Sequence, residues 1–75
     1  MSEKILIFGK NTWPFTKAAR EAFADQGDRV EYFDVMSDTK KLDRMLKYSG
    51  GNRKVPVIVE GEKITVGFNG KAWGV

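Results

Sequence analysis

Residues Gly9 to Thr16, Gly-Lys-Asn-Thr-Trp-Pro-Phe-Thr, form the stretch whose residue types and spacing best suit a reaction centre. Pro14 fits the first position of a helix, which makes Trp13 the N-cap. An N-cap ordinarily carries a short acceptor such as Ser, Thr, Asn or Asp. Tryptophan has no acceptor and would stand, bulky, at an exposed strand-to-helix corner. Local rules that fail in an otherwise consistent sequence tend to fail at functional sites. Trp13 therefore reads as a substituted functional position. Thr16 lies in the first turn, where its hydroxyl could hydrogen-bond the residue at 13. Lys10, in register with Pro14, reads as a ligand-binding lysine rather than a merely solvated one.

Much other chemistry is excluded. The 75 residues include no cysteine and no histidine. Disulfides, thiolate nucleophiles, the usual zinc sites and Ser-His-Asp or Cys-His sites are therefore ruled out for the chain as written. Asp34, Asp38 and Asp43 read as caps and surface charges, with no acid–base pair among them. The net charge is +3 and the pI about 9.3. The basic residues are interleaved with acids, Arg53-Lys54 apart, which is too sparse for a nucleic-acid footprint. No apolar run reaches membrane-spanning length. With no signal peptide, the expectation is a cytoplasmic protein.

The elements that must position this stretch follow from periodicity. Lys4 to Phe8 is a strand, apolar on both faces and so central. From Pro14, Phe15, Ala18, Ala19, Ala22 and Phe23 fall at helical spacing. Gln26-Gly27-Asp28 stops that helix. Val30 to Val35 is a strand whose charges place it toward the sheet edge. Ser37 should cap a second helix striped by Leu42, Met45 and Leu46, ended by Gly50-Gly51. Val55 to Val59 is a further strand covered on both faces. Glu60-Gly61-Glu62 turns it into a returning strand, Lys63 to Phe68. Pro56 cannot donate to a ladder, so its place in an apolar strand needs a special reason. The order β-α-β-α-β-β predicts one α/β domain over 1–75: a four-stranded mixed sheet with helices on both faces.

Order and motifs together resemble the glutaredoxin branch of the thioredoxin fold over nearly the whole chain. The family's Lys-x-x-Cys-Pro-Tyr-Cys is matched in register by Lys10-Asn11-Thr12-Trp13-Pro14-Phe15-Thr16. Its Thr-Val-Pro, with a cis proline, is matched by Lys54-Val55-Pro56. Ser49-Gly50-Gly51 stands intact, and the Gly-Gly-x-Asp-Asp turn is matched in part by Val66-Gly67-Phe68-Asn69-Gly70. The resemblance implies a nucleophile at position 13, held as an anion by the helix N-terminus, and a resolving position at Thr16. It implies that Lys10 binds a carboxylate of glutathione, with Arg53 and Lys54 adding charge and Phe15 at the rim. The Val55 backbone beside Pro56 would pair with the cysteine of glutathione as a short strand addition. The backbone at Gly67-Phe68-Asn69 would meet the γ-glutamyl end. Asn69 and Gly70 depart from the family's acids, which removes the partners of the γ-glutamyl amine. No cofactor is bound on this reading; glutathione is a co-substrate, beside a disulfide-containing substrate. Nucleic acid and membrane are not partners, and the protein is a monomer or weak dimer.

Both motif cysteines are absent, and the family's third helix is short or missing. A single thiol or selenol followed by Thr at the resolving position is similar to small glutaredoxin-like selenoproteins with a Sec-x-x-Thr motif. Selenocysteine is encoded by UGA, one base from the tryptophan codon UGG. Two readings of function stand. One is a thiol- or selenol-disulfide oxidoreductase in its natural form, inactive as written, with Trp13 in place of selenocysteine or cysteine. The other is a redox-inactive module that keeps the groove for glutathione or an extended peptide, with Trp13 native. Trp73 is expected to fold over a thinly covered sheet face or to support a dimer.

Overall fold

The computed structural model describes residues 4–27, 29–68 and 70–74. Strand β1 (Lys4–Gly9) leads into helix α1 (Pro14–Asp25), strand β2 (Arg29–Asp34) and helix α2 (Thr39–Ser49). Then come β3 (Lys54–Val55), β4 (Val57–Glu60), β5 (Lys63–Val66) and β6 (Trp73–Gly74). The main sheet has the order β2-β1-β4-β5, with β1 and β2 parallel and the other pairs antiparallel. The central pair carries the continuous apolar runs, and the charged β2 lies at an edge, as the patterns require. At that edge Lys4 forms an ion pair with Glu31, which holds the Glu31 carboxyl below its ordinary range.

Each face has its own apolar cluster. Ile5, Ile7, Ile58 and Ala19 form one, with Phe23, Tyr32 and Phe68 packed against it under α1. Phe8, Phe33, Met45, Val55, Val57 and Val59 form the other, with Leu42 and Leu46 of α2 against it. Phe8 and Phe33 stack at 4.9 Å between centroids, and the Arg44 guanidinium lies 4.7 Å from the Phe33 ring.

Besides one-residue shifts at the ends of β1 and β2, three features differ from the sequence expectation. Asp38, not Ser37, caps α2, accepting from the Lys40 N–H at 2.9 Å. The Ser37 hydroxyl turns back instead and donates to the Asp34 carbonyl at 2.9 Å. The strand expected over Val55 to Val59 is broken at Pro56, which cannot donate to a ladder, and β3 and β4 belong to different sheets; the Val55–Pro56 peptide bond is cis. The returning strand ends at Val66 rather than Phe68, because Gly67 takes a φ of +98°, outside the strand region. Gly50 ends α2 in the left-handed conformation, as expected. Gln26 and Gly27 follow α1; the third residue of that stop, Asp28, lies outside the described residues.

Residues 73–74 form neither a third helix nor a cover over the main sheet. They return to pair with β3, Lys54 opposite Gly74 and Val55 opposite Trp73. Among the described residues, no helix is long and apolar enough to cross a membrane.

Candidate functional site

The site is built at the junction of β1 and α1. Trp13 is the N-cap, in an extended conformation and without a side-chain cap hydrogen bond. Two backbone bonds shape the corner: the Trp13 N–H donates to the Lys10 carbonyl, and the Thr16 N–H to the Trp13 carbonyl, both at 3.0 Å. The helix therefore presents its first turn with no side chain serving its free N–H groups, an arrangement that favours an anion.

Thr16 is not a plain first-turn residue. It is 1% exposed and wedged against Gly9. A Cβ at Gly9 would lie 2.4 Å from Thr16 Cγ2 and 2.7 Å from its Oγ1. The missing side chain at the end of β1 is thus what lets α1 start so close to the sheet. The Thr16 hydroxyl and the indole N–H of Trp13 are buried with no hydrogen-bond partner among the described residues. The expected hydrogen bond from Thr16 to the residue at 13 therefore has no counterpart with tryptophan there, which offers no acceptor.

The Trp13 ring packs against the α2-side cluster, which includes the fully buried Val55. It also meets the half-buried Phe15, with ring centroids 5.2 Å apart. Pro56 is buried, and its carbonyl accepts from the Gly67 N–H at 2.7 Å, which ties the glycine turn to the junction of β3 and β4. Trp13, Phe15, Thr16, Val55, Pro56 and Gly67 are thereby joined through direct contacts or shared packing.

Other expected residues take different places. Lys10 is half-buried in the loop that closes on Trp13. Arg53 and Lys54 are exposed at the start of β3, where the Lys54 N–H donates to Asn52 Oδ1 at 3.0 Å. The Phe68 side chain turns away toward Phe23 of α1, 6.5 Å between centroids. Asn69 lies outside the described residues.

Two residues already noted in the sequence take parts that were not foreseen. Gly9 is one; its signal is the glycine ending an apolar run just before the corner. Trp73 is the other, its ring 5.4 Å from that of Trp13. Pairing with β3 carries it to the site instead of over the sheet.

A cleft of about 670 Å³ runs from Asn11 and Thr16 of the site along α1 and β2, where Lys17, Arg20 and Tyr32 line it. There the Arg20 guanidinium lies 4.1 Å from the Tyr32 ring centre. Burial, with a smaller contribution from Asp34, pushes the Tyr32 hydroxyl up to about 12.

The glutaredoxin family model matches residues 5–64. A glutaredoxin from Archaeoglobus fulgidus superposes with a TM-score of 0.75 at 26% identity, over 89% of this chain and 77% of that one. A point mutant of a thioredoxin-like protein gives a TM-score of 0.75 at 23% identity, over 87% of this chain and 82% of that one. No curated protein matches the chain.

Proposed function

Because the chain belongs to the glutaredoxin family, we propose that its natural form is a glutathione-linked thiol- or selenol-disulfide oxidoreductase with its nucleophile at position 13. The observation that carries this reading is the α1 N-terminus itself. An extended N-cap followed by proline, with no side chain capping the helix, stands beside Val55 and Pro56. An anionic thiolate or selenolate fits there, stabilised by the free N–H groups and the helix dipole. It would attack one sulfur of a mixed glutathione disulfide, forming a new bond to glutathione and releasing the substrate thiol. The thiolate of a second glutathione would then attack that bond, regenerate the nucleophile and leave oxidised glutathione.

The chain as written has no thiol or selenol, so this exchange does not run on it. Trp13→Cys tests the reading. The variant should hold a thiol with a pKa below the ordinary ~8.5 and reduce a mixed glutathione disulfide. A folded variant with such a thiol and no reduction overturns it. A genomic UGA at codon 13 would identify the lost residue as selenocysteine, whereas UGG would discard the selenocysteine origin.

One observation favours the second reading, a groove without chemistry. Trp13 is packed between Phe15 and Trp73 rather than left loose at the corner. On that reading, a glutathione titration moves the resonances of Val55 and Gly67 while Trp13→Cys gives no turnover.

A further inference from the structure

The backbone edges assigned above to glutathione are already engaged by the chain itself. Val55 pairs with Trp73 and Lys54 with Gly74, in antiparallel register. The turn after β5 is closed by Lys71. The Phe68 N–H donates to the Lys71 carbonyl at 2.9 Å, and the Lys71 N–H to the Phe68 carbonyl at 3.0 Å. Gly67 makes room for this closure, since a Cβ there would stand 3.0 Å from the Lys71 carbonyl oxygen. The Trp73 ring then covers Trp13, the position assigned to the nucleophile. One short segment thus engages β3, the glycine turn and the helix N-terminus together.

We propose that Lys71–Gly74 is a tethered occupant of the β3 edge, which glutathione or another extended ligand must displace. The proposal rests on the reading that this edge takes such a ligand. The segment is built for release. It pairs over only two residues, Trp73 remains 56% exposed, and none of residues 71–74 is buried. Short, exposed elements with few buried contacts open at low free energy. An edge already occupied binds a competitor with an affinity reduced by the fraction of open molecules. A segment closed about nine-tenths of the time weakens ligand about ten-fold.

The test compares the full chain with its Trp73→Pro variant, which removes both the ring and a backbone donor. Trp73→Ala serves as a second variant that removes the ring alone. Proton NMR of the unliganded chain should show contacts between the two indoles and between Val55 and Trp73. Trp73→Pro should abolish them. Reduced glutathione, titrated into each protein, should shift Val55 and Gly67 in all three. It should bind Trp73→Pro about ten-fold more tightly than the full chain, with Trp73→Ala between. The Val55–Trp73 contacts of the full chain should fade as glutathione saturates it. Equal affinity in all three proteins, or missing Val55–Trp73 contacts in the unliganded chain, overturns the tether and leaves the glutathione reading standing. Failure of glutathione to shift Val55 in any of them overturns the glutathione reading, and the competition falls with it.

Discussion

Gly9→Ala should destabilise the protein through a single contact, that with Thr16. The new methyl would stand 2.4 Å from Thr16 Cγ2, 2.7 Å from Oγ1 and 3.1 Å from its Cβ. Thr16 is 1% exposed and begins a helix docked on the sheet, so it cannot swing into solvent. Overpacking of this kind costs about 1–3 kcal/mol, and contacts this short belong at the upper end, about 2–3. In a domain of this size that lowers Tm by about 8–24 °C, at ~4–8 °C per kcal/mol.

The partner substitution isolates the cause. Thr16→Ala removes both close atoms and leaves only the 3.1 Å contact. On its own it loses a buried methyl, worth about 1 kcal/mol, and relieves an unpartnered buried hydroxyl, worth about 1–3 kcal/mol. The net change should lie between about zero and a gain of about 2 kcal/mol. In the Thr16→Ala background, Gly9→Ala should then cost under about 1 kcal/mol, a coupling of about 2 kcal/mol between touching residues. Urea unfolding of the four proteins measures the cycle. The same loss in both backgrounds, or a loss below about 0.5 kcal/mol in the first, refutes the wedge.

Tyr32→Phe should change alkaline stability. Tyr32 titrates at about 12 when folded and near the ordinary 10 when unfolded. Its contribution is therefore complete below pH 10 and is lost as pH rises toward 12. Unfolding curves from pH 9 to 12 should be flatter for Tyr32→Phe, with absorbance titration of the wild type locating the high pKa. Met45→Ala empties a fully buried position under α2 and should cost about 2–5 kcal/mol by urea unfolding. Asp38→Ala removes the α2 cap and should cost about 1 kcal/mol, whereas Ser37→Ala should cost less.

The strand and helix order was legible because its signals are local. Apolar runs, a 3.6-residue stripe and glycine stops each act over a few residues, and Trp13 and Pro14 marked the corner. What was hidden depends on distant backbone. Thr16 looked like a first-turn residue because helical periodicity does not reveal that Gly9 leaves a space for it. Ser37 and Asp38 are neighbouring cap formers, and only the turn back to Asp34 decides between them. The place of Trp73 is set by pairing with Val55, 18 residues earlier, at an edge that lies outside the main sheet, which the chain joins only after Pro56. Phe68 matched a backbone role, yet its side chain answers to Phe23 and the α1-side core.

Trp13 suits neither of the tasks its position sets. A residue serving the helix would be a short acceptor, worth about 1 kcal/mol at the cap. A residue serving the aromatic cluster would do as well without a polar atom. Tryptophan instead buries an indole N–H that finds no partner among the described residues, at a cost of about 1–3 kcal/mol. Its contacts with Phe15 and Trp73 contribute about 0.5–1.5 kcal/mol each. The ring-pair contributions and the orphan N–H nearly cancel, which leaves the apolar area of the ring as its main net contribution. Trp13→Phe keeps a ring in both contacts and removes the orphan donor, so its stability should match or exceed that of the wild type. Urea unfolding checks this. A loss above about 2 kcal/mol would exceed what the smaller ring gives up in area. It would mean that the indole is itself a required part of the fold, and the case for a displaced nucleophile at position 13 would lose its energetic support.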